Sequence, residues 1–264
     1  MLYVISPAKA LDYASPAATA AVATEPEFQS QAKALIGVLA RKSPLEVAQL
    51  MGLSDKLAAL NVARYDAWRA KPQPGAVRPA VFAFDGDVYD GLAARQMPLA
   101  QLQWLQAHAR ILSGLYGVLR PLDNLQAYRL EMGTKLQTER GDDLYHFWGD
   151  RIAKALNAAL AAQPGADAGN AVLVNLASQE YFRAVDRKAL RARVVECVFQ
   201  DEKNGDYKII SFFAKRARGL MLHWAAAQGV DQPDGLKGFD VDGYHWHAAA
   251  SSADRLVFRR KEKA

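Results

Sequence analysis

Hydrophobic and polar positions change their period several times along this chain. Short apolar runs at 1–6, 80–84, 110–116, 171–176 and 255–258 read as strands, the fourth of them buried on both faces. Longer stretches with apolar residues three and four apart predict helices at 29–41, 44–51, 55–68, 98–109, 144–162 and 214–228. Strand-like runs at 193–199 and 207–213 flank the dipeptide Asn204-Gly205, which favours a tight hairpin turn. Loops at 7–24, 72–79 and 164–170 and a basic tail at 259–263 complete the pattern. Strands and helices intermix, and no repeat or low-complexity linker divides them. The expected fold is α/β with mixed α+β character. It is one domain over 1–264, a mixed sheet flanked by helices, with a helical hairpin at 44–68 as an excursion.

That excursion carries the most specific local signals. Ser43-Pro44-Leu45-Glu46 is a capping box with proline at the first helical position. Gly52 stands where a helix ends in a left-handed residue. Ser54 suits the N-cap of the next helix, and Asp55 suits its first turn. At ~100° per residue, Leu57, Leu60 and Trp68 share a stripe with Asn61 and Arg64. Polar groups on an inward face need partners or a ligand. The spacing over 50–58 resembles the hairpin of helix-hairpin-helix DNA-binding motifs, with Gly52, Ser54 and Lys56 facing a phosphate. The plainer alternative is a helical corner holding a buried arginine ion pair.

Composition narrows the setting. The 264 residues are 51% hydrophobic and 23% charged, which is enough to bury a core without cross-links. The single cysteine, Cys197, excludes an intrachain disulfide and reads as a packed residue. The first residues lack a basic-then-apolar signal, and no apolar run nears the ~18 residues of a membrane span. The expectation is a cytoplasmic protein without a membrane partner. A net charge of +5 favours polyanionic partners.

Several clusters could carry chemistry. Ser6-Pro7-Ala8-Lys9 follows the first strand, at the kind of strand end where open α/β sheets hold ligands. Lys9 could meet an anion there, with Asp12 close behind. Lys215, Arg216 and Arg218 crowd the start of a helix, where each exposed cation costs roughly 0.3–1 kcal/mol unless an anion joins them. Arg120, Asp123, Arg129 and Glu131 fall within a short span, as a site or as an ion-pair network. Glu180 could act as an acid or base, or could cap a helix. His245 and His247 share a strand face without a third ligand, so no metal site is expected. No phosphate-loop, dinucleotide or nucleophile-elbow motif occurs, and no cofactor is expected.

Taken together, longer segments resemble one family. They are Ile5-Ser6-Pro7-Ala8-Lys9 with Leu11-Asp12-Tyr13, Ser54-Asp55-Lys56-Leu57-Ala58, and Gly86-Asp87-Val88-Tyr89. Leu119-Arg120-Pro121-Leu122-Asp123, Tyr128-Arg129-Leu130-Glu131-Met132-Gly133, Phe147-Trp148-Gly149-Asp150 and Asn175-Leu176-Ala177-Ser178 join them. They are similar to the YaaA family of peroxide-stress proteins, over nearly the whole chain. The resemblance implies a cytoplasmic α/β domain with a basic cleft, and binding of duplex or distorted, partly unpaired DNA through a helix-hairpin-helix. It also implies protection from hydrogen peroxide where iron feeds oxidant chemistry, and it brings no agreed enzymatic activity.

The leading expectation is therefore a DNA binder. Gly52, Ser54 and Lys56 would hold a phosphate, and Lys9, Arg64, Arg120, Arg129, Lys215, Arg216 and Arg218 would line or flank the cleft. The rival is an enzyme acting on a nucleotide, nucleoside or damaged base, with Ser6, Lys9, Asp12, Asp87, Glu131 and Glu180 as candidate groups; a small anionic or nucleotide ligand is a further expected partner. Iron sequestration is a third reading, against which the lack of a compact ligand set counts.

Overall fold

Two stretches whose residues are buried on both faces, Leu2–Ile5 and Val172–Leu176, lie side by side at the middle of the molecule. Continuous apolar runs of this kind suit parallel strands covered on both sides. The computed structural model describes residues 1–16, 22–73, 75–163, 165 and 168–261. Within the expected loops and tail, residues 17–21, 74, 164, 166–167 and 262–263 lie outside the described residues.

The chain begins with β1 (Leu2–Ile5) and β2 (Ala10–Leu11), then α1 (Gln29–Leu39), α2 (Pro44–Met51) and α3 (Asp55–Ala67). Next come β3 (Val77–Pro79), α4 (Ala80–Ala83), β4 (Phe84–Asp85), α5 (Asp87–Leu92) and α6 (Leu99–His108). They are followed by β5 (Ala109–Ser113), β6 (Gly117–Leu119) and β7 (Asn124–Gln126), and then by α7 (Leu144–Trp148) and α8 (Arg151–Ala161). The last part runs β8 (Val172–Leu176), α9 (Gln179–Phe182), β9 (Arg193–Lys203), β10 (Asp206–Lys208), α10 (Ser211–Gln228), β11 (His245–Trp246) and β12 (Arg255–Arg260). The main sheet has the order β11-β12-β9-β8-β1-β5-β6, with β10 paired to β9. Its inner pairs are parallel, and its outer pairs, β11–β12, β5–β6 and β9–β10, are antiparallel. The mixed sheet flanked by helices is the fold class the pattern predicts.

Two features of this order position the sites. β1 lies between β5 and β8, so the chain builds outward from β1 in one direction and later in the other. The crevice between the carboxyl ends of β1 and β8 is thus a topological switch point, the place where open α/β sheets bind ligands. Secondly, α5 and α10 touch backbone to backbone. A Cβ on Gly91 would overlap the carbonyl of Arg216, and one on Gly219 the carbonyl of Val88.

Several expected elements differ from those observed: the strand expected over 110–116 stops at Ser113, and the tail expected from 259 is still strand through Arg260, which is buried against Asp201. Residues 80–84 form a helical turn, α4, and only then the short β4. The run is buried, and Ala80 and Val81 donate their N–H groups to the carbonyls of Asp123 and Pro121 instead of to a strand. Burial alone does not separate a short helix from a strand. The long helix expected over 144–162 is broken into α7 and α8 by Gly149, whose φ of 52° and ψ of −126° leave the helical region. The strand expected at 207–213 ends at Lys208, because α10 starts three residues earlier than its apolar pattern, at Ser211.

Candidate functional site

The hairpin between α2 and α3 joins two helix starts of opposite character. At α2, the Ser43 hydroxyl accepts from the Glu46 N–H at 3.3 Å, and the Glu46 carboxylate accepts from the Ser43 N–H at 2.8 Å. The Ser43 N–H and the Ser43 hydroxyl, both donating to that carboxylate, hold the Glu46 carboxyl below its ordinary range. Helix α2 ends at Gly52, in the left-handed conformation (φ 62°, ψ 44°). Helix α3 then begins at Ser54, whose side chain makes no capping hydrogen bond. Its first intrahelical backbone bond is Ala58 N–H to Ser54 carbonyl, so the N–H groups of Asp55, Lys56 and Leu57 have no protein acceptor among the described residues. Gly52, Ser54 and Lys56 are all exposed.

The inward face of α3 is not the expected one. Ala58, Asn61, Tyr65 and Trp68 are buried, whereas Leu57 and Leu60 are 39% and 45% exposed. Asn61 faces inward as expected. Its amide donates to the Leu57 carbonyl at 2.8 Å and accepts from Arg64 at 3.3 Å. The Tyr65 hydroxyl donates to the Arg129 carbonyl, which fastens α3 to the loop carrying Arg129 and Glu131. Arg64 has no carboxylate partner among the described residues. Burial lowers its pKa, and the nearby Arg129 charge adds to that shift.

At the switch point, the Ser6 hydroxyl accepts from the Ser178 N–H at 2.9 Å and lies 3.3 Å from the Ser178 hydroxyl. The Tyr89 hydroxyl donates to the Ser6 carbonyl at 3.1 Å. Three residues on, Lys9 pairs with Glu131 at 3.0 Å, and the same carboxylate pairs with Arg129 at 2.9 Å. Glu180 accepts from the Gly133 N–H at 2.9 Å, so it braces the 131–133 loop instead of capping α9. The structure therefore brings together Lys9, Arg64, Arg129, Glu131 and Glu180. Three cations face two carboxylates, and Arg64 lacks a carboxylate of its own. α3 links this crevice to the hairpin. Lys56 and Arg64 are eight positions apart, about 12 Å along the helix axis.

The other sequence candidates lie elsewhere. Arg120 follows β6, which runs antiparallel to β5, and so stands toward the amino end of the sheet. There it pairs with Asp123 at 2.9 Å and donates to the Glu25 carbonyl. Asp12 closes a turn by accepting from the N–H groups of Ser15 and Ala14, and it pairs with Arg95 and Arg78. Those hydrogen bonds and the Arg95 charge hold its carboxyl down at about 2, as a structural anion. Asp87 is exposed at the start of α5. The three cations of α10 diverge. Lys215 is exposed, Arg216 pairs with Asp242 at 3.2 Å, and Arg218 packs against the sheet near Glu196 and Cys197, where burial lowers its pKa. Burial also pushes the Cys197 thiol up to about 12, in keeping with a packed residue.

The Gly133 amide and the Ser6–Ser178 contact have no local sequence signal, since each depends on pairing between distant segments. Among the described residues, no group of three His, Cys, Asp or Glu side chains converges as a metal site would require, and no helix is long and apolar enough to cross a membrane. A cavity of about 940 Å³ opens at the amino end of the sheet, beside Met1, His108 and Arg193, and none of the sequence-predicted site residues lines it.

Comparison with known proteins agrees with the sequence motifs. Residues 1–250 match the family described as "Peroxide stress protein YaaA". A "UPF0246 protein" of Albidiferax ferrireducens is 58% identical over 262 residues, covering 99% of each chain. One of Variovorax paradoxus is 57% identical over 264 residues, again covering 99% of each chain. A third, from Bordetella pertussis, is 57% identical over 262 residues, covering 99% of this chain and 100% of its own. The chain belongs to the YaaA family of peroxide stress proteins.

Proposed function

We propose that this chain binds DNA in the response to hydrogen peroxide, through a helix-hairpin-helix at 44–68 and a neighbouring basic crevice, and so limits iron-dependent oxidative damage. The observation that carries this reading is the open start of α3. Three unclaimed N–H groups, the Ser54 hydroxyl and the Lys56 ammonium are exposed at one helix end, which is the arrangement that holds a phosphate. Contacts of this kind read the backbone and leave the sequence unread. Arg64 supports a second phosphate contact on the crevice side, because an anion would supply the partner that the protein does not. The test is duplex affinity as a function of salt. Binding is expected to weaken steeply between 50 and 200 mM salt, as counterion release requires. Affinity that is flat with salt, or unchanged in Lys56→Ala combined with Lys215→Ala, would sink the reading.

One observation favours a second reading, an enzyme acting on a nucleotide, nucleoside or damaged base. Ser6, Ser178, Lys9 and Glu131 gather at the switch point of the sheet, and a protein that only grips phosphates has no use for a carboxylate shared by two cations there. Incubation with nucleosides and damaged-base oligonucleotides, followed by mass analysis, decides it. Absence of turnover across that panel leaves Glu131 as a structural ion pair.

A further inference from the structure

At the amino end of the sheet, on the face that meets α8, β5 and β6 bring two arginines together. Their register pairs Leu112 with Val118, and two residues further along each strand, on the same face, Arg110 comes opposite Arg120. Both line a pocket of about 360 Å³ whose apolar wall is Val118 with Ala155, Leu156 and Ala159 of α8. Its size is within the roughly 300–1,000 Å³ of small-molecule sites. Like charges directly opposite across a strand pair repel. Asp123 relieves Arg120 by accepting from its Nε at 2.9 Å, and the Thr24 hydroxyl and the Arg120 N–H take up the rest of that carboxylate. Arg110 has no such carboxylate among the described residues. Its Nη1 donates to the carbonyls of Gln106 and Ala109 at the end of α6, at 3.1 and 2.7 Å. Its Nε and Nη2, the edge that takes a carboxylate side-on, have no acceptor among the described residues. Burial lowers the Arg110 pKa, the Arg120 charge adds to that shift, and Asp123 and Glu27 oppose it.

Glu27 lines the same pocket, is exposed, and has no hydrogen bond or ion pair among the described residues. A guanidinium and a carboxylate thus stand on one pocket without pairing with each other. The ligand that joins them carries a negative group for Arg110, a positive group close by for Glu27, and an apolar part for the alanine-rich wall. A free α-amino acid with an aliphatic side chain has all three on one carbon, whereas a residue inside a peptide has lost both charges. We propose that this pocket binds a free aliphatic α-amino acid, with its carboxylate on Arg110, its ammonium on Glu27 and its side chain against Val118 and α8. The pocket lies apart from the crevice at the carboxyl ends of β1 and β8, so the proposal does not rest on the DNA-binding reading.

The test is isothermal titration of the whole chain with L-leucine, with 4-methylpentanoate, which lacks the ammonium, and with L-leucinol, which lacks the carboxylate. L-leucine should bind, and each analogue should bind about tenfold more weakly. Arg110→Gln should weaken L-leucine about tenfold and L-leucinol not at all. Glu27→Gln should weaken L-leucine by a similar factor and should not weaken 4-methylpentanoate. Ala158→Trp, at an exposed position of α8 that lines the pocket, should block L-leucine without removing either charge, and it decides the matter if Arg110→Gln does not fold. Absence of heat with L-leucine at millimolar concentration overturns the proposal. L-leucine binding that is unchanged in both Ala158→Trp and Glu27→Gln also overturns it, since the ligand then sits elsewhere. So does 4-methylpentanoate binding as tightly as L-leucine, which would leave a carboxylate pocket with no use for Glu27.

Discussion

Ser43 and Ser54 occupy the same position in consecutive helices with nearly the same backbone angles, φ and ψ of −66° and 160° at one and −67° and 157° at the other. Among the residues that differ after them, the decisive one stands three places on. Glu46 folds back to close the start of α2, whereas Leu57 leaves the start of α3 open. A closed helix start spends its donors on stability, and an open one keeps them for an outside acceptor. The contrast teaches that a residue suited to the N-cap and a capped helix start are different things, distinguished here by what stands at the third helical position.

The sharpest way to break the contrast is to exchange that third residue. Leu57→Glu should close α3 and place a negative charge at its start, so duplex affinity should fall roughly tenfold, about 1.4 kcal/mol, in a binding titration. The reverse exchange, Glu46→Leu, should leave DNA affinity unchanged, and a loss there would mean that α2 also meets the ligand. Gly52→Ala tests the turn itself. No atom would obstruct the new Cβ, so the cost is that of the left-handed backbone, about 1–2 kcal/mol in chemical denaturation. Next in size, Ser43→Ala should lose about 1 kcal/mol of stability, while Ser54→Ala stays within about 0.5 kcal/mol. Equal losses at the two serines would show that Ser54 caps its helix after all.

The smallest effect is one of pH. The Glu46 carboxyl is depressed in the folded chain, so its contribution is complete above the unfolded value, near 4.3, and is lost as pH falls through the lower folded value. The stability difference between wild type and Ser43→Ala should therefore narrow on acidification below about pH 4. A gap that stays constant from pH 7 to 3 would remove Glu46 from the cap.

What could be read from the sequence was local. The capping box at Ser43, the left-handed Gly52 and the turn at Asn204-Gly205 depend on a few adjacent residues, and the structure has all three. The inward face of α3 was half legible. Asn61 turned inward as its position suggested, but small Ala58 and aromatic Tyr65 took the contact surface from Leu57 and Leu60, because Tyr65 had a distant carbonyl to reach at Arg129. The grouping of Lys9 with Glu131, and the separation of Arg120 from both, follow from strand order and direction. Neither is encoded in the spacing of residues along the chain. Burial misled at 80–84, where apolar residues made a helical turn whose N–H groups found loop carbonyls.

The contact of Gly91 with Gly219 has a mechanical consequence. Where two helices meet through side chains, a push on one is partly absorbed as those side chains change rotamer. Here backbone bears on backbone and nothing lies between to yield. α5 holds the Ser6 carbonyl through Tyr89, and α10 begins at Ser211, just after the β9–β10 hairpin. The two helices thus form one stiff strut, and a load taken up at the start of α10 is delivered to the floor of the crevice with little slack.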